Sequence, residues 1–148
     1  MKNRAILLLL SAHLLSVGCM FDDNTIAVVQ PKQESFSSDN AEVITITVKN
    51  TSSEIFYYSS CGGIEVQKLN RRQHIIANES VDFPCRCVCA AEVLPGEELT
   101  IDYSKNAFPF LEESSSNISL RIIPWLYSES EIIDFDQIYS HSFIIESN

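Results

Sequence analysis

Five sulfurs are the only side chains in this sequence whose types and spacing single out chemistry. Three stand at alternate positions in Pro84-Cys85-Arg86-Cys87-Val88-Cys89, a fourth lies upstream at Cys61, and a fifth is Cys19. In an extended strand, residues i and i+2 lie about 6.6 Å apart with parallel side chains, at the outer limit for a disulfide without a bend. Cys61 is therefore expected to take one of the three partners, and any second bridge within the trio needs a turn, which Pro84 would supply. Four thiols allow three connectivities, and sequence does not choose among them. A bridge closing a loop of about 25 residues stabilises a fold by roughly 3 kcal/mol on the chain-entropy account. The rival chemistry is a thiolate metal site on Cys61, Cys85, Cys87 and Cys89. Cys-x-Cys-x-Cys is not the Cys-x₂-Cys knuckle of structural zinc, but soft ligands so close suit Cu(I). His74 is a further candidate ligand, set against a solvated hairpin residue. Both methionines, Met1 and Met20, lie at the amino terminus, so there is no methionine-rich copper run. With no other ligand set in view, no cofactor is expected.

Catalytic patterns are missing. Beyond the leader the histidines are His74 and His141, and neither accompanies a Gly-x-Ser-x-Gly elbow. The acidic pairs Glu97-Glu98 and Glu112-Glu113 and the run 129–136 lack the spaced Asp-x-Asp-x-Asp-Gly form of a calcium loop. The chain therefore reads as a non-enzyme. Asn50, Asn78 and Asn117 each open a glycosylation sequon. Trp125, Tyr127 and Phe135 are either core or an exposed binding strip.

The leader sets the compartment. Lys2 and Arg4 precede an apolar run over 5–15 that is too short to span a bilayer, which takes about 20 residues, and the pattern is that of a secretory signal. Leu15-Ser16-Val17-Gly18-Cys19 resembles the lipobox of bacterial lipoproteins. That resemblance implies cleavage between Gly18 and Cys19, diacylglycerol on the Cys19 thiol and acylation of the new amino terminus. Ser16 stands where leucine is commoner. Acyl chains at one residue give firm anchoring, each buried CH₂ contributing about 0.8 kcal/mol. The expected organisation is a signal peptide over 1–18, a lipidated tether over 19–24 and one domain over 25–148. Met20, rather than aspartate, after the lipid-bearing position implies the outer membrane over the inner, in an organism that has one. Export to such an envelope also favours disulfides over free thiols.

Composition agrees with one globular domain: 148 residues, 45% hydrophobic, 20% charged, with a formal charge of −10. Removing 1–18 takes away two bases and no acid, which leaves 8 bases against 20 acids, a net charge of −12. Such acidity excludes nucleic acid or an anionic bilayer held through a basic patch. The expected partners are the membrane, through the lipid, and another protein of the envelope.

The segments that must position the cysteines read as strands. Ile44, Ile46 and Val48 alternate with Thr45, Thr47 and Lys49, as do Leu99, Ile101 and Tyr103 with Thr100 and Asp102, and Ile118, Leu120 and Ile122 with Ser119 and Arg121. Period-two alternation marks half-buried strands. Further strands are expected over 25–29 (at an edge), 55–58, 64–69, 73–77 and 142–146, with loops over 33–40 and 105–116 and an irregular stretch over 78–92. Phe108-Pro109-Phe110 is expected to pack over an open end of the core. Pro95-Gly96 suits a type II turn, and 128–139 is expected to form one short helix. Seven or eight strands with turns about every dozen residues predict an all-β sandwich. The run 44–52, then Ile55-Phe56-Tyr57-Tyr58, Cys61-Gly62-Gly63 and Leu94-Pro95-Gly96-Glu97 resembles bacterial immunoglobulin-like extracellular modules. Its outline is similar to the intracellular proteinase inhibitor domain of bacilli. The resemblance covers about 42–103 and implies an immunoglobulin-like fold and no activity. Protease inhibition through a rigid loop over 84–93 held by disulfides is therefore an alternative to a binding or structural role, although the cysteine trio departs from the cysteine-poor inhibitor pattern.

Overall fold

Alternation along the chain becomes two facing layers in the computed structural model, which describes residues 24–37, 43–83, 90–104, 108, 110, 116–129 and 131–147. The protein is an all-β sandwich. One sheet has the order β12-β1-β3-β8, built from Ile138–Ser140, Ala27–Pro31, Val43–Asn50 and Glu98–Ser104. The second has the order β2-β13-β9-β5-β6, built from Ser35–Ser37, Ser142–Glu146, Ile118–Pro124, Gly63–Leu69 and Ile75–Asp82. A third, β11-β10-β4-β7, comprises Glu131–Ile132, Leu126–Ser128, Phe56–Ser59 and Ala90–Val93.

Thirteen strands among the described residues exceed the seven or eight expected, because several chain paths are cut into two segments. Trp125 alone separates β9 from β10, and His141 alone separates β12 from β13. Residues 60–62 separate β4 from β5, which makes the third sheet a bent continuation of the second. The first and last paths each change sheets. β1 pairs with β3 and with β12, then the chain turns after Pro31 and β2 pairs in parallel with β13. Proline limits the first segment because it cannot donate to a ladder.

The side chains that alternate inward form one buried cluster. Ile44, Ile46 and Val48 of the first layer meet Ile64, Val66, Leu120, Ile122 and Phe143 of the second. Phe56 and Leu126, nearly or fully buried, carry the same core into the bent part. Phe108 closes one end, edge-on to Tyr103 at 6.4 Å, and Phe83 stacks on the same ring at 5.6 Å. That is the covering role expected of Phe108, and Phe110 is partly buried against the same core; Pro109 lies outside the described residues. At Pro95-Gly96 the Glu97 N–H donates to Leu94 O at 3.0 Å, with Gly96 at φ 81°, the left-handed position that a type II turn reserves for glycine.

Four expectations are corrected. The strand expected at an edge over 25–29 runs Ala27–Pro31 and is paired on both sides. The 33–40 loop contains β2, since Phe36 is buried against Phe143, ring centroids 5.4 Å apart. The stretch over 78–92 holds the end of β6 and all of β7. In place of a helix over 128–139 the chain reverses at Glu129, φ 52°, makes β11, one 3-10 turn over Phe135–Gln137, and β12. Ile133 donates its backbone N–H to Leu126 O at 2.8 Å, so this β-branched stretch satisfies itself through sheet contacts rather than helix bonds.

Candidate functional site

The junction of β4 and β5 carries Cys61, and its geometry follows from register. Tyr58 pairs with Leu126 and Ile64 with Pro124. Six positions separate the first members of those pairs and only two separate the second, so four residues are looped out of the β4–β5 path. The excursion is closed by Gly62 N–H donating to Ser59 O at 2.8 Å, and Cys61 N–H donates to Ser59 Oγ at 3.2 Å. Glycine is required by space where the strand resumes. A Cβ on Gly63 would lie 2.8 Å from the Trp125 ring and 2.9 Å from Val81 O. Trp125 in turn donates its backbone N–H to Gly63 O at 2.9 Å. The half-buried Cys61 is thus presented on a bulge that tryptophan and glycine hold in place, and its sulfur is engaged in a disulfide. Cys19, Cys85, Cys87 and Cys89 lie outside the described residues. Among the described residues no group of three or more His, Cys, Asp and Glu could hold a metal ion.

The histidines are apart. His74 is exposed in the β5–β6 turn, where Asn70 Oδ1 accepts from the backbone N–H of Arg72 (2.8 Å) and of His74 (3.0 Å). His141 is exposed between β12 and β13, its ring edge-on to Tyr139 at 4.9 Å. The aromatic trio is divided too. Trp125 and Tyr127 follow one another along the bent sheet, whereas Phe135 packs on the core from the 3-10 turn, and all three are half-buried. Glu97 and Glu98 are exposed, and Glu98 meets Lys49 at 3.4 Å; Glu112 and Glu113 are outside the described residues.

Several polar groups invisible to motif reasoning are buried here. Asn50, fully buried, donates through Nδ2 to Glu54 O (2.8 Å) and Val93 O (2.7 Å), while its Oδ1 accepts from Ser52 N–H (2.9 Å). The first sequon is therefore a structural latch. Glu65 is buried on the outer side of β5 and accepts from the Ser80 hydroxyl of β6. Burial pushes the Tyr103 phenol well above its usual range, with the nearby Tyr58 oxygen adding to the effect. Tyr58 is raised as well, again by burial first. The two phenols interact electrostatically, yet Tyr103 Oη has no partner in hydrogen-bond geometry. In the sequence Asn50 stands out as a sequon and Tyr103 as part of an alternating strand, while nothing marks Glu65 or Tyr58 for burial.

Two concavities lie among the described residues near these elements. A polar cleft of about 880 Å³ at one end of the sandwich brings together the β5–β6 turn, the β1–β2 bend and His141, and in it the Ser142 hydroxyl donates to Gln73 Oε1 at 2.9 Å. A smaller one of about 310 Å³ is lined by the paired Gln67 and Arg121 and by Phe135 and Asp136.

No family model and no curated protein matches this chain. Among solved structures, a mutant β-glucosidase from Listeria innocua in complex with laminaribiose is similar over 82% of this chain and 16% of its own, with 13% identity and a TM-score of 0.41. An alkylpurine DNA glycosylase from Pseudomonas fluorescens, bound to DNA, is similar over 84% of this chain and 31% of its own, with 6% identity and a TM-score of 0.38. A β-glucosidase from Erythrobacter marinus gives 14% identity and a TM-score of 0.37 over 82% of this chain and 15% of its own. The chain spans less than a third of each. At these values the likeness says nothing about what this chain binds or does.

Proposed function

We propose that this chain is a lipid-anchored lipoprotein of the bacterial envelope whose β-sandwich acts as a non-catalytic binding or structural module. The observation that carries the reading is the leader, in which Lys2 and Arg4 are followed by an apolar run ending at Leu15-Ser16-Val17-Gly18-Cys19. A disulfide at Cys61 supports an oxidising compartment. It also weighs against the metal reading, which needs that sulfur as a free thiolate.

The test is metabolic labelling with an alkyne fatty acid in a bacterial host, followed by intact-mass measurement. The expected result is label on the parent chain, a mass matching cleavage before Cys19 plus acyl chains, and loss of label in Cys19→Ala. An unlabelled product released to the medium would overturn the reading.

A further inference from the structure

The smaller concavity, of about 310 Å³, follows from a change of layer. β13 pairs with β9 only from Ser142↔Arg121 onward, and before that rung the chain runs beside β1 as β12. The Ser140 hydroxyl donates to Ile122 O at 2.6 Å, and the 3-10 turn Phe135–Gln137 comes immediately before β12. A pocket is left where this path meets the outer face of β5 and β9. Arg121 and Gln67 stand directly opposite one another on that face, and Arg121 Nε and Gln67 Oε1 are both buried with no hydrogen-bond partner. Buried polar groups in native folds are almost always paired, so an unpaired donor beside an unpaired acceptor calls for a partner from outside the chain. Glu65, two residues along the same face of β5, is engaged by the Ser80 hydroxyl. Asp136 lines the pocket from the 3-10 turn, yet the one ion pair among the described residues joins Lys49 to Glu98. The pocket therefore holds a guanidinium and a carboxylate that do not meet. Beside them its walls are apolar: Ile123 is buried, Phe135 half-buried and Ile75 52% exposed.

We propose that this pocket binds a free α-amino acid with an apolar side chain. The ligand's carboxylate meets the Arg121 guanidinium, whose planar fork suits that group. Its ammonium meets Asp136, and its side chain lies against Ile75, Ile123 and Phe135. Each charge of the pocket then has a counter-charge, which neither a simple anion nor a simple cation supplies. Ligand pockets run from about 300 to about 1,000 Å³, and a volume at the small end suits one amino acid rather than a peptide. The proposal narrows the binding role given above and does not involve the lipid, so the titration below and the fatty-acid labelling fail independently.

The experiment is calorimetric titration of the full chain, isolated from a bacterial host, with L-leucine, leucinamide, N-acetyl-leucine and glycine. Saturable heat is expected with leucine. Leucinamide lacks the carboxylate, N-acetyl-leucine the ammonium and glycine the side chain, so each should bind roughly tenfold more weakly or worse. Asp136→Asn, at an exposed position, should leave the denaturation midpoint unchanged and erase the preference for leucine over N-acetyl-leucine, while keeping that over leucinamide. Arg121→Met should do the reverse. Where the methionine variant does not fold, Arg121→Lys, which keeps the charge without the fork, should weaken the preference for leucine over leucinamide. No heat with leucine, equal binding of leucine and either derivative by the parent, or an unchanged preference in Asp136→Asn would each overturn the proposal.

Discussion

At the scale of single residues, the buried polar side chains carry the sharpest consequences. Asn50 bridges two backbone carbonyls and one N–H from two segments, the turn after β3 and the end of β7, so truncating it strands several groups away from water. Each buried unmet group costs about 1–3 kcal/mol, and Asn50→Ala is expected to lower stability by about 2–4 kcal/mol in urea titration. Tyr103 gives a pH signature. Its phenol stays protonated in the fold at pH values where an unfolded tyrosine, near 10.0, begins to ionise. The folded state then holds more protons than the unfolded one. Stability is unaffected below pH 10 and falls as pH rises above it, by up to about 1.4 kcal/mol per pH unit for each such group. Tyr103→Phe should flatten that decline in denaturation midpoints measured between pH 9 and 11, and the raised Tyr58 should leave a smaller slope of the same sign.

At the scale of elements, the β4–β5 bulge is held by contact rather than by turn propensity. Gly63→Ala would press a methyl group into the Trp125 ring and Val81 O. Overpacking of this kind costs about 1–3 kcal/mol, and since the chain has one tryptophan its fluorescence should shift with it. Gly96→Ala, with nothing within 4 Å, should cost only the positive-φ penalty and leave the fluorescence alone. These two glycines also mark what could be read from sequence. Gly96 was legible because Pro-Gly has a local conformational meaning. Gly63 was not, because the ring that excludes a side chain there comes from Trp125, about sixty positions away. The same division runs through the strands. Val43–Asn50, Glu98–Ser104 and Ile118–Pro124 were legible because their apolar residues alternate with polar ones, in the last as far as Ile122. β2 rests on a single buried phenylalanine in a serine-rich stretch, and β7 is set by pairing with β4, so neither declares itself locally. Of the candidate site, Cys61 could be picked out by residue type, but its looped-out setting comes from a pairing offset that no local pattern encodes. Asn50 and Glu65 were hidden because burial of a polar residue depends on what the opposite strand brings.

At the scale of the whole molecule, the first and last chain paths run side by side in the same direction, β1 along β12 and β2 along β13. Traction on residue 24 against residue 147 therefore drags these paths past one another lengthwise. Their rungs lie across that direction and must give way together, whereas the β5–β6 hairpin, opened from Gly63 and Asp82, would unzip one rung at a time. In single-molecule stretching, the end-to-end geometry should rupture at clearly higher force than the hairpin geometry. A sandwich built in this way resists being torn open by a pull on its two ends.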